Sequence, residues 1–120
     1  MKQLQKIDIG SKQTIIKFNE NIMFYSYDSL IACYDSKRQV LEFNNDNYID
    51  KNGNSVPLYK CSATTKKYLY KFIYGYVDLP IRTKGNYVVD IATELRMAKN
   101  KTNFLEYLIE TKQVKLVNFE

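Results

Sequence analysis

The 120-residue sequence contains no histidine and no tryptophan. Histidine is the usual general acid or base near neutral pH and the commonest metal ligand. Without it, catalysis would fall to tuned Asp, Glu, Lys, Tyr or Cys side chains. Cysteine is scarce as well. Cys33 and Cys61 form no CxxC pair and cannot hold a zinc ion without further ligands. Cys33 lies in the apolar run Leu30-Ile31-Ala32-Cys33-Tyr34, which reads as a buried free thiol. The four glycines, Gly10, Gly53, Gly75 and Gly85, are isolated, so no glycine-rich loop can cradle a phosphate. No GxSxG surrounds Ser26, and no spacing among the thirteen carboxylates singles out a catalytic pair. Asp50, Asn52 and Asn54 alternate as in a calcium loop, but Gly53 falls too early and no acid closes the loop. The expectation is a protein with no catalytic residue, no metal and no cofactor.

Further absences set the class. Two prolines and four glycines leave no disordered linker. No apolar run approaches the ~20 residues of a membrane span. Met1-Lys2-Gln3-Leu4-Gln5-Lys6 leads into no signal-peptide hydrophobic stretch. These features point to a cytoplasmic, reduced protein with no membrane partner. The length is that of one domain over residues 1–120, able to bury a core without disulfide staples. It divides into a strand-rich part (1–60), a helix-rich part (61–112) and a terminal strand (113–119).

The residues that are present give an α+β pattern. Gln13 to Phe18 is β-branched and aromatic. Ile22 to Tyr27 and Leu30 to Tyr34 read as one bulged strand or two short ones, and Gln39 to Phe43 as the next. Asn52-Gly53 signals a turn. A helix begins at Ser62-Ala63-Thr64-Thr65, with Thr65, Leu69, Phe72, Ile73 and Tyr76 on its inner face and Gly75 or Gly85 at its exit. Asp90 to Lys99 gives a second helix with Val88, Ile91, Ala92, Leu95 and Ala98 inward. Thr102 to Thr111 gives a third, capped by Thr102. The expected fold is an antiparallel sheet of three to five strands with two or three helices on one face. Its core would hold Ile15, Phe18, Phe24, Leu30, Ala32, Leu41, Leu69, Phe72 and Leu108.

Eleven tyrosines and a net charge of +5 accompany this pattern. The charge is uneven: residues 51–89 hold seven basic side chains and one acid, Asp78, so they carry +6 and the remainder −1. A basic chain is a poor mimic of nucleic acid. On the helix, Lys67, Tyr70, Lys71 and Tyr74 fall opposite the apolar face, and Lys60, Lys66, Arg82 and Lys84 extend the set. Three readings fit: a solvated face, a protein interface in which tyrosine supplies contact area, and a nucleic-acid surface in which lysine meets phosphate and tyrosine stacks on bases.

Two segments carry a resemblance. Ser26-Tyr27-Asp28-Ser29-Leu30-Ile31-Ala32 is similar to a Ser-Tyr-x-Thr-x-Ile-Ala strand. Ser62-Ala63-Thr64-Thr65 is similar to a Ser-x-Thr-Thr helix start, with Phe72-Ile73 standing where a Phe-Leu pair follows. Together they resemble small uncharacterised proteins of bacteriophages and related mobile elements, over Thr14 to Ile73. Ser29 replaces the pattern's Thr, and Tyr68 replaces a His, so any role of that His is lost here. The resemblance carries no activity. It implies a non-enzymatic protein that occupies a surface of a host protein, such as a defence effector in the manner of anti-CRISPR inhibitors. The alternative partner is single-stranded DNA or RNA.

Overall fold

The computed structural model describes residues 4–120. The first five strands are β1 (Gln5–Asp8), β2 (Gln13–Phe18), β3 (Asn21–Ser26), β4 (Ser29–Asp35) and β5 (Val40–Asn44). They form an antiparallel meander, as the strand spacing predicts. The sheet is nevertheless larger than expected and mixed. Gln5–Asp8 adds an edge strand, and β10 (Lys115–Val117) pairs in parallel with β5 at the other edge. The order is β1-β2-β3-β4-β5-β10. β1 is only four residues long and has a single apolar residue, Ile7, too little for an alternation to stand out.

Residues 21–35 form two strands and also contain a bulge. Tyr27 and Asp28, both at positive φ, make the two-residue turn between β3 and β4. Phe24 pairs with Ala32 but Tyr25 pairs with Leu30, so Ile31 is the extra residue. The bulge shifts the phase of β4. Ile31 and Ala32 are both buried, and Leu30 is turned to the other face, which is why Leu30 does not belong to the core. Phe18 also fails as a core residue: it ends β2 one step out of phase with Ile15 and is 41% exposed.

Two small hairpins stand apart from the six-stranded sheet. β6 (Asn47–Ile49) pairs with β7 (Ser55–Pro57) around a turn in which Gly53 has φ +83 and Asp50 accepts from the Asn52 and Asn54 amides. β8 (Pro80–Arg82) pairs with β9 (Val88–Asp90). Val88 therefore lies on a strand, 60% exposed, and not inside a helix. A single 3-10 turn, Leu58–Lys60, follows β7.

Helix α1 (Ala63–Tyr76) starts where its cap predicts: the Ser62 hydroxyl accepts from the Thr65 amide. It ends at Tyr76, one residue past Gly75. Helix α2 (Ile91–Met97) is capped by Asp90, and α3 (Lys101–Glu110) by Asn100, not by Thr102. Asn is as good a cap as Thr or better, and its position adds one turn-forming residue to the helix start.

The inner face of the sheet is one row across the strands: Ile7, Ile15, Phe24, Ala32, Phe43 and Leu116 are cross-strand partners in succession. Helix α1 lies over β2 and β3, with Phe72 stacked on Phe24 at 5.7 Å between ring centroids. Helix α2 packs on α1 and α3 on α2. Ile15, Phe24, Ala32, Leu41, Leu69, Phe72 and Leu108 are buried together, as expected. Asp46 fastens the C-terminal end: its carboxylate accepts from the Asn118 side chain and the Phe119 and Glu120 amides.

Because Phe72 is fully buried at the contact between layers, Phe72→Ala should cost about 3–5 kcal/mol in urea unfolding. A loss under 1 kcal/mol would mean that the stack does not join the layers.

Candidate functional site

The sequence-selected residues separate into three groups. Lys67 and Lys71 are exposed on α1, as expected of that face. Tyr70 and Tyr74 are not free beside them. A helix advances about 100° per residue, so Tyr70 and Tyr74 sit toward the flank that meets α2 and α3. Both are half-buried and pack against the core. Burial pushes the Tyr70 phenol above its ordinary value, an effect opposed by its hydrogen bond with Thr102. The Tyr74 ring lies under the guanidinium of Arg96, 4.6 Å from its centroid. These two rings serve the helix packing, so the Lys/Tyr stripe read from the helical wheel is not one solvent-facing unit.

A different tyrosine accompanies the two lysines. The Lys67 and Lys71 ammonium groups lie 5.7 and 5.0 Å from the ring centroid of Tyr68. Tyr68 in turn covers Gly10, where an added Cβ would meet the ring at 2.8 Å. The ring thus bridges α1 and the loop before β2. Its i, i+3 relation to Lys71 was readable from the sequence.

Lys60 and Lys66 form the second group. With Tyr59, Tyr70, Thr102 and Glu106 they line a crevice of 20 Å³ between the 3-10 turn, α1 and α3. That volume suits a water molecule and nothing larger. Lys60 lies over the Tyr59 ring at 5.9 Å.

Arg82 and Lys84 form the third group, on the β8–β9 hairpin. They line an open cleft of 530 Å³ with Thr83, Asn86, Tyr107 and Gln113. Lys84 stands over the Tyr107 ring at 5.6 Å. The backbone of Arg82 is clamped: its amide donates to Gln113 Oε1, and its carbonyl accepts from Gln113 Nε2 and the Tyr107 hydroxyl. Tyr87, at the tip of the same hairpin, is 73% exposed. Tyr107 and Arg96 are not legible in the sequence, because they meet Lys84 and Tyr74 only in the folded chain.

One electrostatic feature links the groups. Among the described residues a single ion pair is present, Arg38 with Asp35 at 3.9 Å. Among the described residues, Lys60, Lys66, Lys67, Lys71, Arg82 and Lys84 have no carboxylate at ion-pairing distance. Four of these six rest on tyrosine rings. A ring attracts a cation without neutralising it, so the positive charge remains available.

The two segments behind the phage-protein resemblance meet at the start of α1. The Ser26 hydroxyl lies 3.0 Å from that of Thr65, which accepts from Ser62, and Gln13 Nε2 donates to Ser26. Ser26, Thr65 and Gln13 are buried, so this network joins β2, β3 and the start of α1. The residues act on structure. Beside them Cys61 is buried, and burial pushes its thiol up to about 11, against the pull of Lys66. Cys33 reaches about 11 through burial and the neighbouring Glu42 and Asp35. Neither is a ready nucleophile. At pH 8 both should alkylate roughly a hundredfold more slowly than an ordinary thiol, with rates climbing toward pH 11. Cys33 is half-buried, not the fully buried thiol that the sequence suggests. Mass spectrometry of iodoacetamide-treated protein checks the slow alkylation; fast labelling at pH 8 would contradict the raised thiol values.

No helix among the described residues is long and apolar enough to cross a membrane, and no group of three or more Cys, Asp or Glu among them is placed to hold a metal ion. No curated protein and no solved structure matches the chain. The sequence model of one family matches residues 2–87. That span includes β1 to β5, α1 and all eight sequence-selected cationic and tyrosine residues, and leaves out α2, α3 and β10. Since it covers well over half of the sequence, the chain belongs to the Family of unknown function (DUF8033).

Proposed function

We propose that the protein is a non-enzymatic binding protein of phage or mobile-element type, which modulates a host protein by docking on an acidic surface. A defence effector is the target class that the sequence resemblance favours. The observation that carries the reading is the set of unneutralised cations backed by tyrosine rings. A carboxylate-rich partner would supply the charge that the fold itself withholds. Rings beneath the cations restrict their motion before binding, which reduces the ordering cost on association.

Charge reversal tests the reading. Lys67→Glu/Lys71→Glu should lower retention of the host partner by roughly tenfold or more, and raised salt should weaken the wild-type complex. Quantitative capture from host lysate, compared at two salt concentrations, gives the readout. Equal retention by both proteins at both salts would sink the idea of an acidic partner at this face.

A second reading, binding of single-stranded DNA or RNA, is favoured by a separate observation. Tyr87 is exposed on the hairpin that also carries Arg82 and Lys84. Stacking on Tyr87 with phosphate at the two cations would use that cleft, since Tyr70 and Tyr74 are occupied by packing. A fluorescent oligonucleotide should then bind with affinity that falls steeply with salt, and Tyr87→Ala should weaken it. Absence of binding at low salt removes this reading and leaves the protein partner.

A further inference from the structure

The sheet has a second face, opposite the one that α1 and the hydrophobic core cover. Cross-strand pairing defines a continuous row there: Lys6 pairs with Ile16, Ile16 with Met23, Met23 with Cys33, Cys33 with Glu42, and Glu42 with Lys115. Tyr25 and Leu30 pair beside this row. None of the apolar members reaches full burial, and none packs against the core. The row is thus an apolar centre of Ile16, Met23 and Cys33, with Lys6 at one end and Glu42, beside the edge-strand Lys115, at the other. Contiguous apolar surface of this kind on a small protein marks an interaction site.

We propose that this face is the interface of a two-fold dimer in which two copies pack their sheets back to back. Charge complementarity selects both the occupant and the arrangement. A two-fold axis parallel to the strands and above Met23 sets Met23 on Met23 of the second copy. Ile16 then meets Cys33, and Lys6 meets Glu42, each pair occurring twice. An axis across the strands would instead set Lys6 on Lys6 and Glu42 on Glu42, which like charges oppose. The favoured arrangement also keeps the strands of the two sheets nearly aligned, as face-to-face sheets prefer, and makes a self-complementary patch, as a two-fold interface requires.

The charge distribution permits the pairing despite the chain's net +5. The charged strand residues of this face are Lys6, Asp8, Asp35, Glu42 and Lys115, three acids against two bases. The excess of positive charge lies in residues 51–89, none of which belongs to the six-stranded sheet. Association leaves those residues exposed, so the dimer would present two copies of the basic surface. This inference does not depend on what that surface binds.

Analytical ultracentrifugation of the whole protein tests it. Wild-type protein should sediment at twice the 14.2 kDa chain mass. Met23→Glu should sediment at the chain mass with an unchanged circular dichroism spectrum, because the site lies outside the core. Lys6→Glu should shift the equilibrium toward monomer, and Lys6→Glu/Glu42→Lys should restore the dimer; this pair keeps the test valid even if Met23→Glu misfolds. A wild-type monomer at the highest soluble concentration overturns the proposal. So does a Met23→Glu dimer, or a double variant that stays as monomeric as Lys6→Glu. If the wild type is monomeric and Met23→Glu loses a captured host protein, the face belongs to that other protein and the dimer is excluded.

Discussion

The stack of Phe24 on Phe72 seats helix α1 on the sheet. Both side chains are fully buried there, with Ile15, Leu69 and Ile73 in the same core. A six-stranded sheet can bury one face against helices only if those helices stay in register with its inner row. Phe24 supplies the centre of that row, and Ile15 and Ala32 flank it. With α1 seated, its other flanks are assigned by helical geometry alone. Tyr70 and Tyr74 fall toward α2 and α3, Tyr68 falls toward Gly10, and Lys67 and Lys71 are left in water. The placement of the cations thus follows from a hydrophobic contact on the far side of the helix.

Much of the layout was legible where periodicity was strong. Strands β2 to β5, the Ser62 cap and the inner face of α1 follow directly from β-branched and aromatic runs, cap chemistry and 3.6-residue spacing. What failed did so for identifiable reasons. Leu30 was lost to a one-residue bulge at Ile31, which no alternation pattern announces. The β6–β7 and β8–β9 hairpins have three-residue strands, shorter than one period of evidence can resolve. Strand β10 pairs in parallel with a segment some seventy residues earlier, a relation that only the folded chain displays. The site was half legible. Composition located the basic region, but a helical wheel treats every residue opposite the core as solvent-facing. It cannot know that a second and third helix will cover part of that arc.

The pairing of cations with tyrosines and not carboxylates is the main electrostatic trait. Thirteen acids are present, yet those in residues 51–89 number one. A lysine beside a carboxylate gains little at a surface and loses its net field. A lysine over a ring keeps that field and gains a defined position. The fold therefore carries a persistent positive potential on its helical side, whereas its open sheet face is close to neutral. Two surfaces of different chemistry are thereby kept apart by the thickness of the protein.

The parallel pairing of β5 with β10 also has a kinetic consequence. The turns between β1 and β5 join neighbours in sequence, so that meander can assemble hairpin by hairpin. β10 meets β5 only after the chain has made a long excursion through both small hairpins and all three helices. Closing so large a loop delays the contact until the excursion has compacted. The two halves of the chain accordingly differ in how they fold: the first zips locally, and the second is secured by its last strand, with the Asp46 carboxylate as its final latch.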